Sequence, residues 1–313
     1  MKLITAAFSL AGLISSAAAV CDDNASGSFT NWNGETTGGA GANNSVIVTT
    51  QKELEEYAVA EEPYIIKIPG RIDIEPVGTA IKVGDNKTIV GSGEEGEIYG
   101  GGFLLDGSYN VIFRSLTIGK IDSDEEEGKL NAFQLNGASR VWIDHCLLTR
   151  TKDALIESTD SSYFTVSYSH FLDNKKGFEI GASEGVESYI SAHHNYFQNL
   201  DESGPDAENV KYIHSYDNYL SNVTSYGHYS RGSTAMHLSN VVFEEVDNPI
   251  LRDEDALLYS TFSIFENCTG ETAEESEKFP EWRYYEYYLH APDEVIEVVT
   301  REAGPKAWVC PLD

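Results

Sequence analysis

Basic side chains are scarce in this chain: 21 lysines and arginines stand against 51 aspartates and glutamates, a formal net charge of −30. A nucleic acid partner is excluded on that ground, because phosphate backbones need a basic footprint. Cysteine is equally sparse. Cys21, Cys146, Cys268 and Cys310 include no C-x-x-C pair, which excludes a cysteine zinc centre, while in an oxidising compartment they allow three disulfide connectivities. Long apolar runs are missing beyond the first twenty residues, so no membrane partner is expected. Those twenty residues read as a secretory signal: Lys2, an apolar run through Phe8, Leu10, Leu13 and Ile14, then Ala17, Ala18 and Ala19 in an A-x-A arrangement. Residues 1–19 are therefore expected to be a signal peptide and 20–313 one extracellular, monomeric domain. Sequons at Asn24, Asn43, Asn86, Asn222 and Asn267 agree with that route.

What the sequence does have is a repeat. Apolar stretches close on a bulky side chain at Ile118, Leu148, Phe171, Phe197, Leu220 and Phe243, spaced 30, 23, 26, 23 and 23 residues apart. A period in the twenties with β-branched and aromatic residues marks a solenoid, and the missing L-x-x-L-x-L spacing argues against a leucine-rich repeat. The pattern predicts an all-β fold, a parallel β-helix whose coils stack about 4.8 Å apart. Asn195 and Asn218, one period apart, are expected to form a ladder inside a turn. Near the end, Pro292 suits a first helical turn, Val295, Ile296, Val298 and Val299 make an apolar face, and Gly304 suits a helix stop, so a C-terminal helix is expected to pack on the solenoid.

Several motifs occur in a telling order: TGGAGA from Thr37, NKTIVGSG from Asn86, YNVIFRSLTI from Tyr109, VWIDHC from Val141, DALIE from Asp153, KKGFEIGAS from Lys175 and HHNYF from His193. Between Gly34 and Gly304 the chain resembles polysaccharide lyase family one, the pectate and pectin lyases, with fungal pectate lyases nearest in pattern. That resemblance implies a right-handed β-helix and an acidic polysaccharide substrate, polygalacturonate or a relative. It also implies β-elimination: a base removes the proton beside the uronate carboxylate and the glycosidic bond breaks without water. Calcium and a lysine stabilise the developing negative charge.

Carried over residue by residue, the resemblance places calcium ligands at Asp153 and Glu157, with Asn131 where the family has a third, acidic ligand. Asp122–Glu127, an acidic run, lies nearby. Lys176, beside Lys175, matches the lysine that binds a uronate carboxylate, and Arg231 matches an arginine of a later coil that contacts substrate. The base does not match. Where the family carries R-A-P-x-x-R, the chain reads SGPDAE, so Ser203 stands at the catalytic arginine position and Glu208, or its neighbour Asn209, at the second. No arginine lies between Arg150 and Arg231, and Lys211 is the remaining nearby cation.

Two expectations follow: a divergent lyase using Lys176 and calcium, or a non-catalytic relative that binds polysaccharide along the same cleft. A β-helical hydrolase with paired aspartates is disfavoured by the lack of D-D and G-H-G signatures in the coils. A calcium-free pectin lyase is disfavoured by the acids at Asp153 and Glu157. Asp144 with His145, and His193 with His194, are adjacent in sequence and are expected to face opposite sides of their strands, in structural roles. The tyrosines of YYEYYLH are expected to cover the solenoid.

Overall fold

The computed structural model describes residues 25, 27–40, 44–121, 131–276 and 284–310. The expected leader, Cys21, the sequons at Asn24 and Asn43 and the acidic run 122–127 lie outside them. The described chain winds through about nine turns of a right-handed parallel β-helix. One face is a ten-stranded ladder from Ser45–Ile47 to Leu257–Thr261, with Tyr109–Arg114, Ser139–Asp144, Ser162–Ser167 and Tyr189–His193 at its centre. The second face runs from Arg71–Asp73 to Ile264–Glu266, and the third from Thr79–Lys82 to Ile250–Arg252. Strand His170–Gly181 turns a corner and pairs within both the second and third faces.

The repeated bulky residues are the inward stack of the second face. Ile118, Leu148, Phe171, Phe197, Leu220 and Phe243 sit in direct register from coil to coil, and each is fully buried. Phe171 and Phe197 stack with ring centres 4.5 Å apart. Corners between the first and second faces need a left-handed residue, and Ser115, His145, Tyr168, His194, Asp217 and Asn240 supply it with φ from 45° to 56°. Where the next residue is Ser169, Asn195 or Asn218, its side chain caps the corner of the preceding coil. Cys146 N–H donates to Ser169 Oγ at 3.1 Å, Ser169 N–H to Asn195 Oδ1 at 3.0 Å, and Asn195 N–H to Asn218 Oδ1 at 2.8 Å. The expected Asn195–Asn218 ladder is thus present, and it satisfies buried amides that no strand reaches.

Helix α1 (Gln51–Ala58) covers one end of the core with Leu54 and Ala58, as a solenoid terminus requires. Its start is fixed by Thr50, whose hydroxyl accepts from Glu53 N–H at 3.3 Å. Helix α2 (Val295–Glu302) buries Val295 and Val299 against Tyr219 and Val242 on the second face. Pro292 falls in the turn before it, and Gly304 (φ 87°) donates its N–H to Tyr168 O at 2.8 Å after it. Two straps cross the first face. Phe29 and Trp32 from one pack with Tyr284 and Tyr285 from the other over Tyr189 and Tyr212, so these C-terminal tyrosines do cover the solenoid, although Tyr288 is 90% exposed. Among the cysteines, Cys310 is disulfide-bonded, whereas Cys146 and Cys268 are free.

Candidate functional site

The straps and α2 lie over the first two faces. The third face presents a polar row in register across its coils: Gln134, Glu157, Glu179, Asp206 and Tyr229. Three stacked carboxylates repel one another unless cations intervene. Lys176 and Arg231 do so. Lys176 Nζ lies 2.8 Å from Glu179 Oε1 and 4.0 Å from Asp153 Oδ1, and the hydrogen bond to Glu179 raises its pKa. Arg231 Nε is 3.0 Å from Asp206 Oδ1 with its guanidinium 4.2 Å from the Tyr229 ring centre. Its Nε–H points off the line to the carboxylate, so the contact is an ion pair rather than a directed hydrogen bond. Burial raises the Asp206 pKa, opposed by the Tyr226 hydroxyl at 2.6 Å and by Arg231.

The corner in strand His170–Gly181 aims Lys176 outward. Asn174, which the sequence reading did not single out, pins this corner: its Nδ2 donates to the carbonyls of Asp153 (2.7 Å) and Lys176 (2.8 Å), and its Oδ1 accepts from Thr151 N–H at 2.8 Å. Gly177 is required there, because a Cβ would fall 2.1 Å from the Ser203 carbonyl oxygen.

The expected calcium ligands are brought to neighbouring coils. Asn131 is buried and donates its Nδ2 to Glu157 Oε2 at 2.8 Å, leaving its own Oδ1 buried with no hydrogen-bond partner. A buried amide oxygen without a partner fits a hard cation, although it is the amide nitrogen that faces Glu157. Asp153 is linked to this pair through Lys176 and Glu179.

Ser203, by contrast, is fully buried, with its hydroxyl 3.4 Å from the Gly204 carbonyl. It faces the core rather than the row. Glu208 is exposed and in register with Arg231. Asn209 is a left-handed turn residue that accepts from Ser233 N–H at 3.1 Å. Lys211 pairs with Glu187 at 3.5 Å on the surface.

A second polar cluster corrects the expectation that adjacent residues diverge. His145 Nδ1 lies 2.7 Å from Asp144 Oδ2, and His193 Nδ1 lies 3.0 Å from His194 Nδ1. Strand alternation ends at Asp144 and His193, since His145 and His194 are left-handed corner residues whose side chains swing back onto their predecessors. Asp144 also meets Arg114 Nε at 3.0 Å and accepts from Ser167 Oγ at 2.6 Å, in line with a structural role. It borders a cavity of about 300 Å³ lined by Trp142, Tyr168, His193 and Trp308.

A family model for pectate lyase matches residues 1–285. The chain belongs to the pectate lyase family. Relatives include a pectate trisaccharide-lyase of Thermotoga maritima, 36% identical over 52% of this chain and 47% of that enzyme. The aligned stretch thus spans about half the length of that relative. A pectate trisaccharide-lyase of Bacillus licheniformis is 29% identical over 88% of this chain and 85% of its own, and a pectate lyase of Emericella nidulans 33% identical over 75% and 67%. Among solved structures, a pectate lyase from Bacillus sp. N165 in complex with trigalacturonate superposes with a TM-score of 0.76 at 22% identity, covering 89% of this chain and 98% of that one. One from Acidovorax avenae gives 0.78 at 16%, covering 98% and 100%. These share the pectate lyase β-helix.

Proposed function

We propose that the third face of this pectate lyase family member holds polygalacturonate, or a related acidic cell-wall polysaccharide, and eliminates it very slowly. The observation that carries this reading is the pairing of Lys176, fixed outward at a pinned corner, with a buried Ser203 one coil on. Lys176 supplies a cation for a uronate carboxylate. The ion pairs to Glu179 and Asp153 hold its ammonium in place and are exchanged for the substrate's carboxylate on binding.

Asn131, Glu157 and Asp153 would hold calcium, which supplies positive charge beside the substrate carboxylate. That supply matters here, since a chain of net charge −30 repels an anionic polymer. Elimination also needs a base to take the proton beside the carboxylate, with those electrons forming the carbon–carbon double bond as the glycosidic oxygen leaves. Ser203 is out of reach, Glu208 places negative charge nearby, and Arg231 is tied to Asp206. Loss of a positioned base commonly lowers the rate ~100- to 10,000-fold.

Secretion is supported by the leader pattern and by the exposed sequons at Asn222 and Asn267, and action as a monomer is part of the same proposal. No helix among the described residues is long and apolar enough to cross a membrane. Affinity electrophoresis through polygalacturonate gels tests the binding claim. Retardation with calcium, weakened by chelator and by Asp153→Ala, is the expected result; identical migration with and without the polymer would sink it.

A further inference from the structure

We propose that His194, Asp217 and His290 form a site for a zinc-class divalent metal, one that clamps the C-terminal strap onto the solenoid. It lies at the corner between the first and second faces, away from the third-face row, and is independent of the function proposed above. Each residue offers one ligand atom, and these atoms lie within 4.8 Å of one another. His194 Nε2 is 3.4 Å from Asp217 Oδ2. A tetrahedron with metal–ligand bonds of ~2.0 Å has edges of ~3.3 Å, so this pair already has coordination spacing. His290, the one half-buried member, completes the set with its ligand atom within 4.8 Å of the other two.

The backbone that carries the third ligand is docked in place. His290 N–H donates to Asp217 Oδ2 at 3.0 Å, and its carbonyl accepts from Asn240 Nδ2 at 2.7 Å. His194 and Asp217 are successive left-handed corner residues, so both side chains leave the solenoid at the same edge, one coil apart.

An independent observation points to a missing cation. Asp217 is fully buried and its Oδ1 has no hydrogen-bond partner. The Asn240 amide lies close enough to lower its pKa and gives one N–H to the His290 carbonyl, while no donor meets Asp217 Oδ1 with hydrogen-bond geometry. A plain histidine–aspartate hydrogen bond at 3.4 Å is long and leaves that buried oxygen orphaned, an arrangement native proteins rarely keep.

The surroundings suit a metal-bound imidazole. Burial holds His194 neutral, the form that ligates, and His193 Nδ1 lies 3.0 Å from His194 Nδ1, which fixes the ring with Nε2 toward Asp217. Tyr168 stacks on the same ring at 4.5 Å. Two imidazoles and one carboxylate select zinc-like ions over calcium, which takes oxygen ligands, and three protein ligands leave one position for water.

The test uses untagged full-length protein, stripped with chelator and titrated with zinc by calorimetry, with melting followed in parallel. The expected result is one equivalent bound and a melting temperature raised by zinc but not by equal calcium at this site. His290→Ala should weaken zinc at least tenfold while leaving the metal-free melting temperature unchanged, because its backbone contacts persist. Cobalt should give tetrahedral visible absorption in the wild type that His290→Ala abolishes. No zinc binding at millimolar metal, or binding that His290→Ala and His194→Gln leave unaltered, would overturn the proposal.

Discussion

Asp144 is a buried carboxylate with Arg114, His145 and Ser167 around it. Burial raises its pKa, but those partners outweigh burial and hold it down at about 2. Its folded pKa is depressed, so the stability it contributes is present above pH ~4 and lost as pH falls toward 2. Asp144→Ala leaves Arg114 buried beside an empty position and should cost about 3–5 kcal/mol, measured by urea denaturation. Lys176→Ala should leave stability nearly unchanged, since its pairs are part-exposed, yet weaken polygalacturonate binding roughly 10- to 100-fold in affinity electrophoresis. Lys176 and the acids Asp153 and Glu157 were legible in the sequence through their motifs. Asn174, Glu179 and Asp206 were not, because their roles depend on which residues of neighbouring coils stand in register, and spacing alone does not fix that.

Strands and corners set what a pattern can reveal. The inward stack from Ile118 to Phe243 was legible because stacking repeats one side-chain size at one interval. Phe197→Ala removes a fully buried ring between Phe171 and Leu220 and should cost about 3–5 kcal/mol, with the far-ultraviolet β signal retained at low temperature. Corners were harder to read. One left-handed residue reverses the face of everything after it, as a one-residue slip does in a sheet. That is why His145 and His194 fold back on their neighbours, and why Ser203, at a corner with the left-handed Gly204, turns inward where the motif alignment implied an outward base.

Across the whole molecule, a net charge of −30 and several buried neutral histidines set the pH response. Burial lowers His228 to about 3 and His237 to about 4. Their unfolded value is ~6.5, so the unfolded chain takes up protons first as pH falls, and stability should decline between pH ~6.5 and ~4, by on the order of 3 kcal/mol for each group. Melting temperature against pH at constant ionic strength checks this; a flat profile across that window would contradict the buried neutral state. The same negative charge makes polymer binding depend on divalent cations, and chelation should release bound polygalacturonate even at low salt.

The third face is held to bind its polymer while lacking a base to cleave it. The most direct test is the ultraviolet absorbance of unsaturated products from polygalacturonate with calcium, run beside an active pectate lyase at equal concentration. The expected rate is at least ~100-fold below that enzyme, near the no-protein background. Product formation at a comparable rate, abolished by chelator and by Lys176→Ala, would contradict it and assign the base to another residue of this face.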